Sequence, residues 1–237
     1  MRNLVYYSLG LIVLALSLNA CGNQEKKNQA GAGEEETVKE VMPEVILEND
    51  YVKVVKVSLD PGEALASHQG EVRVIYSLTD YSIDWEEQGK QEGNKSWSRG
   101  DVHFHEAGQH SAINNGTTTA EWLAFTRKDV ALPECGENTI ENDVNSVASE
   151  FTNLLWDNDN YRITEVGLPI GESIPTHAGI NRIIYSLTDY QIMYESNKEG
   201  NSEKKFQAGD VHWHEACQHA LQNNGATEAN FLVVSYK

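Results

Sequence analysis

One seven-residue segment occurs twice in this chain of 237 residues. Ile75–Tyr81 reads IYSLTDY and returns letter for letter at Ile184–Tyr190, an offset of 109 residues (184 − 75 = 109). About half of the positions from 68 to 128 are identical in the second copy, with no insertion or deletion between them. Self-similarity at a fixed period indicates a duplicated structural unit. The chain is therefore predicted to contain two copies of one fold.

The same offset pairs every histidine of the chain with another histidine. The eight histidines form four pairs: His68 with His177, His103 with His212, His105 with His214, and His110 with His219. Arg73 is paired with Arg182 in the same way. Because neighbouring positions differ between the copies while these groups are kept, we interpret them as the parts of a site present in each copy.

Within each copy the pattern is typical of short β-strands. β-branched and aromatic residues dominate segments such as 52–57, 73–78 and 122–125, and turn signals such as Asp60-Pro61-Gly62 and Asn115-Gly116 lie between them. Strands spaced in this way indicate an all-β sandwich or barrel. Between the copies, apolar residues from Asp143 to Thr152 recur at helical spacing and predict one linker helix, with an exposed loop as the alternative.

The first forty residues have a different composition. Arg2 precedes an apolar run over residues 4–18, which is typical of a secretory signal peptide at 1–20. The segment Leu18–Cys21 resembles a bacterial lipobox, which would make Cys21 the lipidated first residue and the membrane a partner through that lipid. Residues 21–40 are acidic and poor in apolar side chains, as in a flexible tether. The remainder divides into a first repeat at 41–128, a linker at 129–149 and a second repeat at 150–237.

Charge and cysteine content limit the partners. The formal net charge is −18, and no cluster of lysine and arginine is evident, which argues against a nucleic-acid partner. A small anion in a local basic pocket remains compatible with this charge. Cys135 and Cys217 are the cysteines outside the N-terminal segment, and two cysteines are not a disulfide framework, so both are predicted to be free thiols.

At this point the residues resemble the cupin family. Gly62 stands six residues before His68, as at the start of the first cupin motif, and Gly100, His110 and Asn114 are similar to the second. The second copy repeats both motifs. The resemblance implies two tandem cupin-type barrels (double-stranded β-helix, jelly-roll), joined by a short helical linker.

The copies depart from the pattern of metal-binding cupins, in which three histidines and a glutamate hold one divalent ion. The second histidine of the first motif is Gly70 in one copy and Gly179 in the other. Arg73 and Arg182 align with the glutamate. A guanidinium stays protonated, has no lone pair to donate and repels a divalent cation.

Two hypotheses follow for the pockets. In the first, each barrel binds a small anionic metabolite, because a guanidinium between imidazoles offers forked donors to a carboxylate or phosphate. The predicted ligand-binding residues are His68, Arg73, Gln109, His110, His177, Arg182, Gln218 and His219. This hypothesis requires Arg73 to point inward; the alternative is a surface ion pair with Asp80 or Glu71.

In the second hypothesis, the barrels form a metal-dependent enzyme, an oxygenase or isomerase, with a divalent transition metal as cofactor. His103 and His105 alternate along one strand, so both leave the same face, a spacing that suits chelation. The potential ligands are His68, His103, His105, His110, His177, His212, His214 and His219. If that face is outward, Phe104 and Trp213 line the pockets instead. Glu106 and Glu215 follow these histidines and are either acidic partners or general bases beside the imidazoles, or turn residues facing water.

Overall fold

The structure is a computed structural model that describes residues 38–237. The first repeat folds into two five-stranded sheets that enclose a barrel, called barrel 1 here. Its strands are β1 (Glu40–Val41), β2 (Glu44–Glu48), β3 (Val52–Leu59), β4 (Ala64–Gly70), β5 (Arg73–Ser77), β6 (Tyr81–Glu87), β7 (Lys90–Trp97), β8 (Val102–His105), β9 (Gly108–Asn114) and β10 (Ala120–Arg127). The strand orders are β1-β4-β9-β6-β7 and β2-β3-β10-β5-β8.

The second repeat forms barrel 2 with the same topology, in sheets of five and four strands. Its strands are β11 (Thr152–Asp157), β12 (Tyr161–Leu168), β13 (Ser173–Gly179), β14 (Arg182–Ser186), β15 (Tyr190–Ser196), β16 (Gly200–Phe206), β17 (Val211–His214), β18 (Cys217–Asn223) and β19 (Ala229–Tyr236). Their orders are β11-β12-β19-β14-β17 and β13-β18-β15-β16. The prediction of an all-β chain with two tandem cupin-type barrels is confirmed.

The linker helix is shorter than the predicted span from Asp143 to Thr152. The α-helix, α1, covers Val144–Val147, between 3₁₀ turns at Ile140–Asn142 and Ser149–Phe151. The Asp143 carboxylate caps α1 by accepting a hydrogen bond of 3.0 Å from the Asn145 backbone N–H. One turn later Ala148 leaves the helical region, with φ −146° and ψ 50°, and the α-helix ends there.

Alternation along the strands separates each barrel interior from the contact between the barrels. On β5, Val74 and Tyr76 point out of barrel 1 into a core shared with barrel 2, whereas Ile75 packs inside barrel 1. On β14, Ile183 and Tyr185 enter the same shared core. Both strands are therefore buried on both faces, which explains why they are apolar at nearly every position.

No α-helix within residues 38–237 is long and apolar enough to cross a membrane. The predicted signal peptide, Cys21 and most of the predicted tether lie outside the described residues.

Candidate functional site

Arg73 and Arg182 lie inside the barrels at equivalent places. Arg73 begins β5 on the inward face and is 5% exposed, and Arg182 begins β14 and is 2% exposed. The surface-pair alternative for Arg73 is wrong. Its guanidinium donates to the backbone carbonyl of Glu71 and forms no ion pair with the side chain of Asp80 or Glu71.

The Arg73 guanidinium uses only part of its donor capacity within the protein. Nη1 donates to the carbonyl oxygens of Glu71 at 2.9 Å and Glu106 at 3.5 Å. Nη2 donates to Nε2 of His110 at 3.1 Å. A guanidinium carries five N–H donors. Two donors remain for an acceptor in the barrel.

Neither buried arginine has a carboxylate partner among the described residues. Arg182 instead contacts the carbonyl oxygens of Ile180 and Glu215, together with the side chains of Cys217 and His219. Burial lowers the pKa of Arg73 to about 10, so the group remains protonated at neutral pH. A buried cation without an anion is costly, because the interior replaces its hydration poorly.

A glycine makes room for each guanidinium. A Cβ atom on Gly70 would lie 2.5 Å from Nη1 of Arg73 and 2.4 Å from Cε1 of His110. A Cβ atom on Gly179 would lie 2.4 Å from Nη1 of Arg182. Gly70 and Gly179 stand where the first cupin motif has its second histidine. Only glycine at this position leaves space for the guanidinium, so the loss of the histidine and the gain of the arginine are linked.

His68 and His110 sit beside Arg73 on neighbouring strands. They are directly paired in the β4–β9 ladder, and their ring centroids are 4.2 Å apart. Nδ1 of His68 donates to the carbonyl of Ala66 at 2.8 Å, which leaves its Nε2 as an acceptor. His110 accepts from Arg73 through Nε2 and donates through Nδ1 to the carbonyl of Gly108 at 3.3 Å.

His103 and His105 also face the interior of barrel 1. The His103 ring stacks on Trp97 with centroids 4.7 Å apart, and the His105 ring lies 5.0 Å from Trp85. Phe104, between them, points into the core shared by the barrels. The inward alternative for the His-x-His segment is therefore the one the structure contains, and Trp213 points into the shared core in barrel 2.

Six of the interior histidines are held neutral at neutral pH. Burial, and then the charge of Arg73, lowers the pKa of His103 and His110 to about 4 and that of His105 to about 3. In barrel 2, burial lowers the pKa of three equivalents: His212 to about 4, His214 to about 2, and His219 further below its usual range. Arg73 and Arg182 therefore place a positive charge in each interior, and these six imidazoles contribute neutral donors and acceptors.

The residues present do not fit the transition metal that the cupin resemblance implies. Nε2 of His110 accepts from a cation, and its Nδ1 donates to a carbonyl, so neither nitrogen has a lone pair to offer. Within residues 38–237, no three His, Cys, Asp or Glu side chains converge as a set that could hold a metal ion. The eight predicted metal ligands accordingly form no such set: His68, His103, His105, His110, His177, His212, His214 and His219.

Barrel 2 differs from barrel 1 around its arginine. Cys217 replaces Gly108, is 3% exposed, and places Sγ 3.4 Å from Nη2 of Arg182. The hydroxyl of Tyr194, which replaces Trp85, lies 3.6 Å from the same sulfur. Cys217 and Cys135 are both free thiols, as predicted. The thiol and the phenol surround the guanidinium with protein atoms and leave less room for a ligand.

The cavities differ even more than the side chains around the two arginines. Barrel 1 holds an open cavity of about 690 Å³ that reaches Arg73, His68 and His110. The cavity of barrel 2 is about 50 Å³ and is bounded in part by Asp143 and Val144 of the linker. Ligand pockets typically measure roughly 300–1,000 Å³. Only the cavity in barrel 1 falls within that range.

The two predicted glutamines do not line these cavities. Gln109 follows Gly108 on β9, lies on the face opposite His110, is exposed, and donates to Oγ of Ser67 at 3.0 Å. Gln218 is exposed at the equivalent place on β18. Their placement in the pocket is wrong because a strand alternates its faces, and an inward histidine sends the preceding glutamine outward. Glu106 and Glu215 are exposed at turns.

Several residues of the barrel 1 cavity were not singled out from the sequence as site residues. Trp85 and Trp122 form part of its wall. Met42, Val45 and Lys53 also line it, and Met42 and Val45 are exposed to solvent; the region of these three residues is called the mouth of barrel 1 here. Lys53 has a recognisable signal, because its counterpart Arg162 is also a cation. Met42 and Val45 lie at the start of the first repeat, before its first motif, and carried no motif of their own.

Two similar barrels, each holding its repeated motif residues inside, define the class of this protein: it has a bicupin fold. The sequence matches no protein-family model, and a search of curated proteins finds no match. Solved structures with cupin barrels do share the fold.

Three of these structures illustrate the likeness. AerE from Microcystis aeruginosa aligns with a TM-score of 0.58 and 19% identity, over 82% of this chain and 97% of that chain. A cupin 2 conserved barrel domain protein from Leptotrichia buccalis gives 0.51 and 17%, over 85% and 92%. Oxalate decarboxylase from Lactobacillus farciminis, in a formate complex, gives 0.54 and 15%, over 79% and 77%. At these identities the likeness shows the fold alone.

Proposed function

We propose that this protein is an exported, lipid-anchored bicupin that binds a small carboxylate in barrel 1. One observation carries the proposal. Arg73 is 5% exposed, carries a positive charge, and has no carboxylate partner among the described residues. A ligand carboxylate supplies the missing anion and accepts the two N–H donors that the protein leaves unused.

The surroundings of Arg73 support an anion rather than a cation. His68 lines the same cavity as Arg73. At the mouth, Lys53 has no ion-pair partner among residues 38–237, and Glu71 is the one acidic residue of the cavity wall. The local charge is therefore positive in a chain whose net charge is −18. Such a local field selects small anions while the overall charge repels polyanions.

Barrel 1 is the favoured location because barrel 2 is filled by its own chain. Asp143 and Val144 close its cavity, and Asp143 pairs with Arg162 at 3.1 Å. Arg162 is the counterpart of Lys53. The linker therefore pairs this cation in barrel 2, whereas Lys53 forms no ion pair with any of residues 38–237. The metal-dependent oxygenase or isomerase has no comparable support. The guanidinium of Arg73 hydrogen-bonds to Nε2 of His110, which would otherwise be a ligand atom, and its charge repels a divalent cation.

The lipid anchor rests on the N-terminal sequence. A signal-like segment at 1–20 precedes Cys21, and the acidic stretch at 21–40 would hold the barrels away from the bilayer. Labelling of growing bacterial cells with a palmitate analogue tests this. We expect the wild-type chain to be labelled and to fractionate with membranes, and the Cys21→Ser variant to be unlabelled and released. Equal labelling of both chains would contradict the anchor at Cys21.

Calorimetric titration with acetate and with inorganic phosphate tests the binding site. We expect acetate binding that Arg73→Met weakens by about tenfold to a hundredfold, the value of a hydrogen-bonded charged group. The matched variant Arg182→Met, at the equivalent place in barrel 2, should leave acetate binding unchanged. Equal losses in both variants would place the site elsewhere or in both barrels.

A further inference from the structure

The cavity of barrel 1 has one polar part and one apolar part. The polar part contains Arg73, His68 and His110. The rest of the wall is largely apolar or aromatic: Val57, Leu65, Ile75, Trp85, Trp122 and Ala124. A bare carboxylate such as acetate would occupy the polar part and leave this apolar wall in contact with water. An apolar group of a ligand that covered this wall would remove apolar surface from water, which is favourable.

Barrel 2 shows what fills the corresponding apolar space when the chain itself supplies it. Val144 and Ala148 of the linker are 5% and 0% exposed and pack against the interior of barrel 2, next to Ile174 and Tyr190. Phe151 packs against the same cluster. All of these groups are apolar, and the linker helix, the one α-helix within residues 38–237, lies against barrel 2.

At the mouth of barrel 1, two apolar counterparts of residues that pack against the interior of barrel 2 are exposed among residues 38–237. Met42 is the counterpart of Phe151 (42 + 109 = 151) and is 82% exposed. Val38 is the counterpart of Val147 and is 49% exposed, and Val45 nearby is also 49% exposed. Met42 and Val45 line the cavity. An exposed apolar rim beside an open pocket marks a binding surface.

From these observations we infer that the ligand of barrel 1 is an amphiphilic carboxylate, with an aliphatic or aromatic body attached to the acid group. The carboxylate pairs with Arg73, the body lies against Leu65, Ile75 and the two tryptophans, and its far end contacts Met42 and Val45. This inference rests on the proposed anion site. It adds that the apolar body contributes most of the affinity, in the space that barrel 2 fills with its own linker.

The test separates the acid group from the body. Full-length protein is titrated in a calorimeter with acetate, octanol, octanoate and phenylacetate, with inorganic phosphate as a second small anion. Octanoate should bind at least about a hundredfold more tightly than acetate, since each buried CH₂ strengthens binding several-fold. Octanoate should also bind more tightly than octanol, and Arg73→Met should remove that difference. Phenylacetate should change tryptophan fluorescence because Trp85 and Trp122 line the wall.

Rim variants provide a control that leaves the fold intact. Met42→Gln and Val45→Gln change exposed side chains, so circular dichroism and melting should match the wild type. Both should weaken octanoate binding several-fold and leave acetate binding unchanged, whereas Ile170→Gln, at an exposed apolar site of barrel 2, should change neither.

The outcomes distinguish the two proposals. Acetate and phosphate binding that depends on Arg73, with octanoate no tighter, would overturn the amphiphile and leave the anion site standing. Octanol binding as tightly as octanoate, with no effect of Arg73→Met, would overturn both. No binding of any of the five compounds would also overturn both.

Discussion

Nη2 of Arg73 lies 3.1 Å from Nε2 of His110, and the two side chains face each other across the interior of barrel 1. This contact gives the lone pair of the imidazole to a cation of the protein. The Cβ atom that a residue other than glycine would bring to position 70 would collide with both side chains. Arg73, His110 and Gly70 therefore form one arrangement. The equivalent residues Arg182, His219 and Gly179 also meet in barrel 2, where Nη2 of Arg182 lies 3.4 Å from both ring nitrogens of His219.

Gly70 leaves the space that the side chains of Arg73 and His110 occupy, and we call it the glycine cradle. A larger residue at this position should therefore destabilise the fold. Gly70→Ala places a methyl group 2.5 Å from the guanidinium and 2.4 Å from the imidazole, so one of them must move. We expect the free energy of unfolding to fall by about 1–3 kcal/mol, as for overpacking of a close-packed interior. Urea denaturation measures this loss, and calorimetry should show weaker binding of carboxylates.

Gly108→Ala is the matched control for this prediction. Gly108 lies on the neighbouring strand β9, and an added Cβ atom would find its nearest neighbour, Gln88, at 3.4 Å, an ordinary contact. Its unfolding free energy should stay within about 0.5 kcal/mol of wild type, the usual range away from special features. Equal destabilisation by the two substitutions would contradict the role of Gly70 as the cradle.

The linker contact predicts how barrel 2 opens. Asp143 caps α1 and pairs with Arg162 at 3.1 Å, so Asp143→Ala removes both interactions. We expect a loss of roughly 2–5 kcal/mol in unfolding free energy, the sum of a cap and a charged hydrogen bond. Hydrogen exchange followed by mass spectrometry should accelerate in the linker and in β13, against which α1 packs, and remain unchanged in barrel 1.

Two variants separate the contributions of Asp143. Asp143→Asn keeps a side chain that caps a helix well and removes the charge, so its loss should be smaller than that of Asp143→Ala. Asp157→Asn removes the other carboxylate on Arg162, at 2.8 Å and nearer to solvent, and should leave hydrogen exchange in β13 unchanged. Faster exchange in β13 after Asp157→Asn would show that the linker is not what closes barrel 2.

The depressed histidine pKa values predict a loss of stability in mild acid. His103 and His110 titrate with a pKa of about 4 and His105 with a pKa of about 3 in the folded chain. In the unfolded chain a histidine has a pKa of about 6.5. Below pH ~6.5 the unfolded chain therefore binds protons that the folded chain does not, and stability falls as pH falls.

Each such histidine contributes a slope of up to about 1.4 kcal/mol per pH unit in this window. Urea denaturation between pH about 7 and about 5 isolates the effect, since unperturbed carboxyl groups titrate near or below pH about 4.3. His105→Asn should reduce the slope of unfolding free energy against pH by the contribution of one proton, up to about 1.4 kcal/mol per pH unit. A stability that is flat or rises toward pH 5 would contradict neutral buried histidines.

The pairing of Arg73 with His110 predicts low metal content. Elemental mass spectrometry of chain purified without a histidine tag, after incubation with zinc, iron, copper and manganese salts, should find far less than one ion per molecule. His68→Ala and His105→Ala should leave that content unchanged. A stoichiometric transition metal that is lost in these variants would contradict the anion site and restore the metal-dependent enzyme.

Much of the fold could be predicted from the sequence because duplication tests each pattern twice. The strand alternation in Arg73–Ser77 and in Val102–His105 returns 109 residues later with the same faces. The sequence left open which face of Val102–His105 points inward, and the structure places His103 and His105 inside barrel 1. The inward direction of Arg73 followed from its alignment with the glutamate of the first cupin motif. The extent of the linker helix did not, because its end depends on where the chain joins β11.

The difference between the two cavities could not be predicted from the sequence. It depends on which segment covers each mouth, and that is set by packing of Val144 and Phe151 against residues distant in the chain. The wrong prediction for Gln109 has a local cause. Gln109 is next to His110 in the sequence, and adjacent residues on a strand point to opposite faces.

The most direct test of the account is calorimetric titration of octanoate into wild type, Arg73→Met, Arg73→Lys and Arg182→Met. The account predicts one site per chain, a loss of about tenfold or more for Arg73→Met, an intermediate value for Arg73→Lys, which keeps the charge without the fork, and no change for Arg182→Met. Binding that is unaffected by Arg73→Met, or lost only in Arg182→Met, would contradict it.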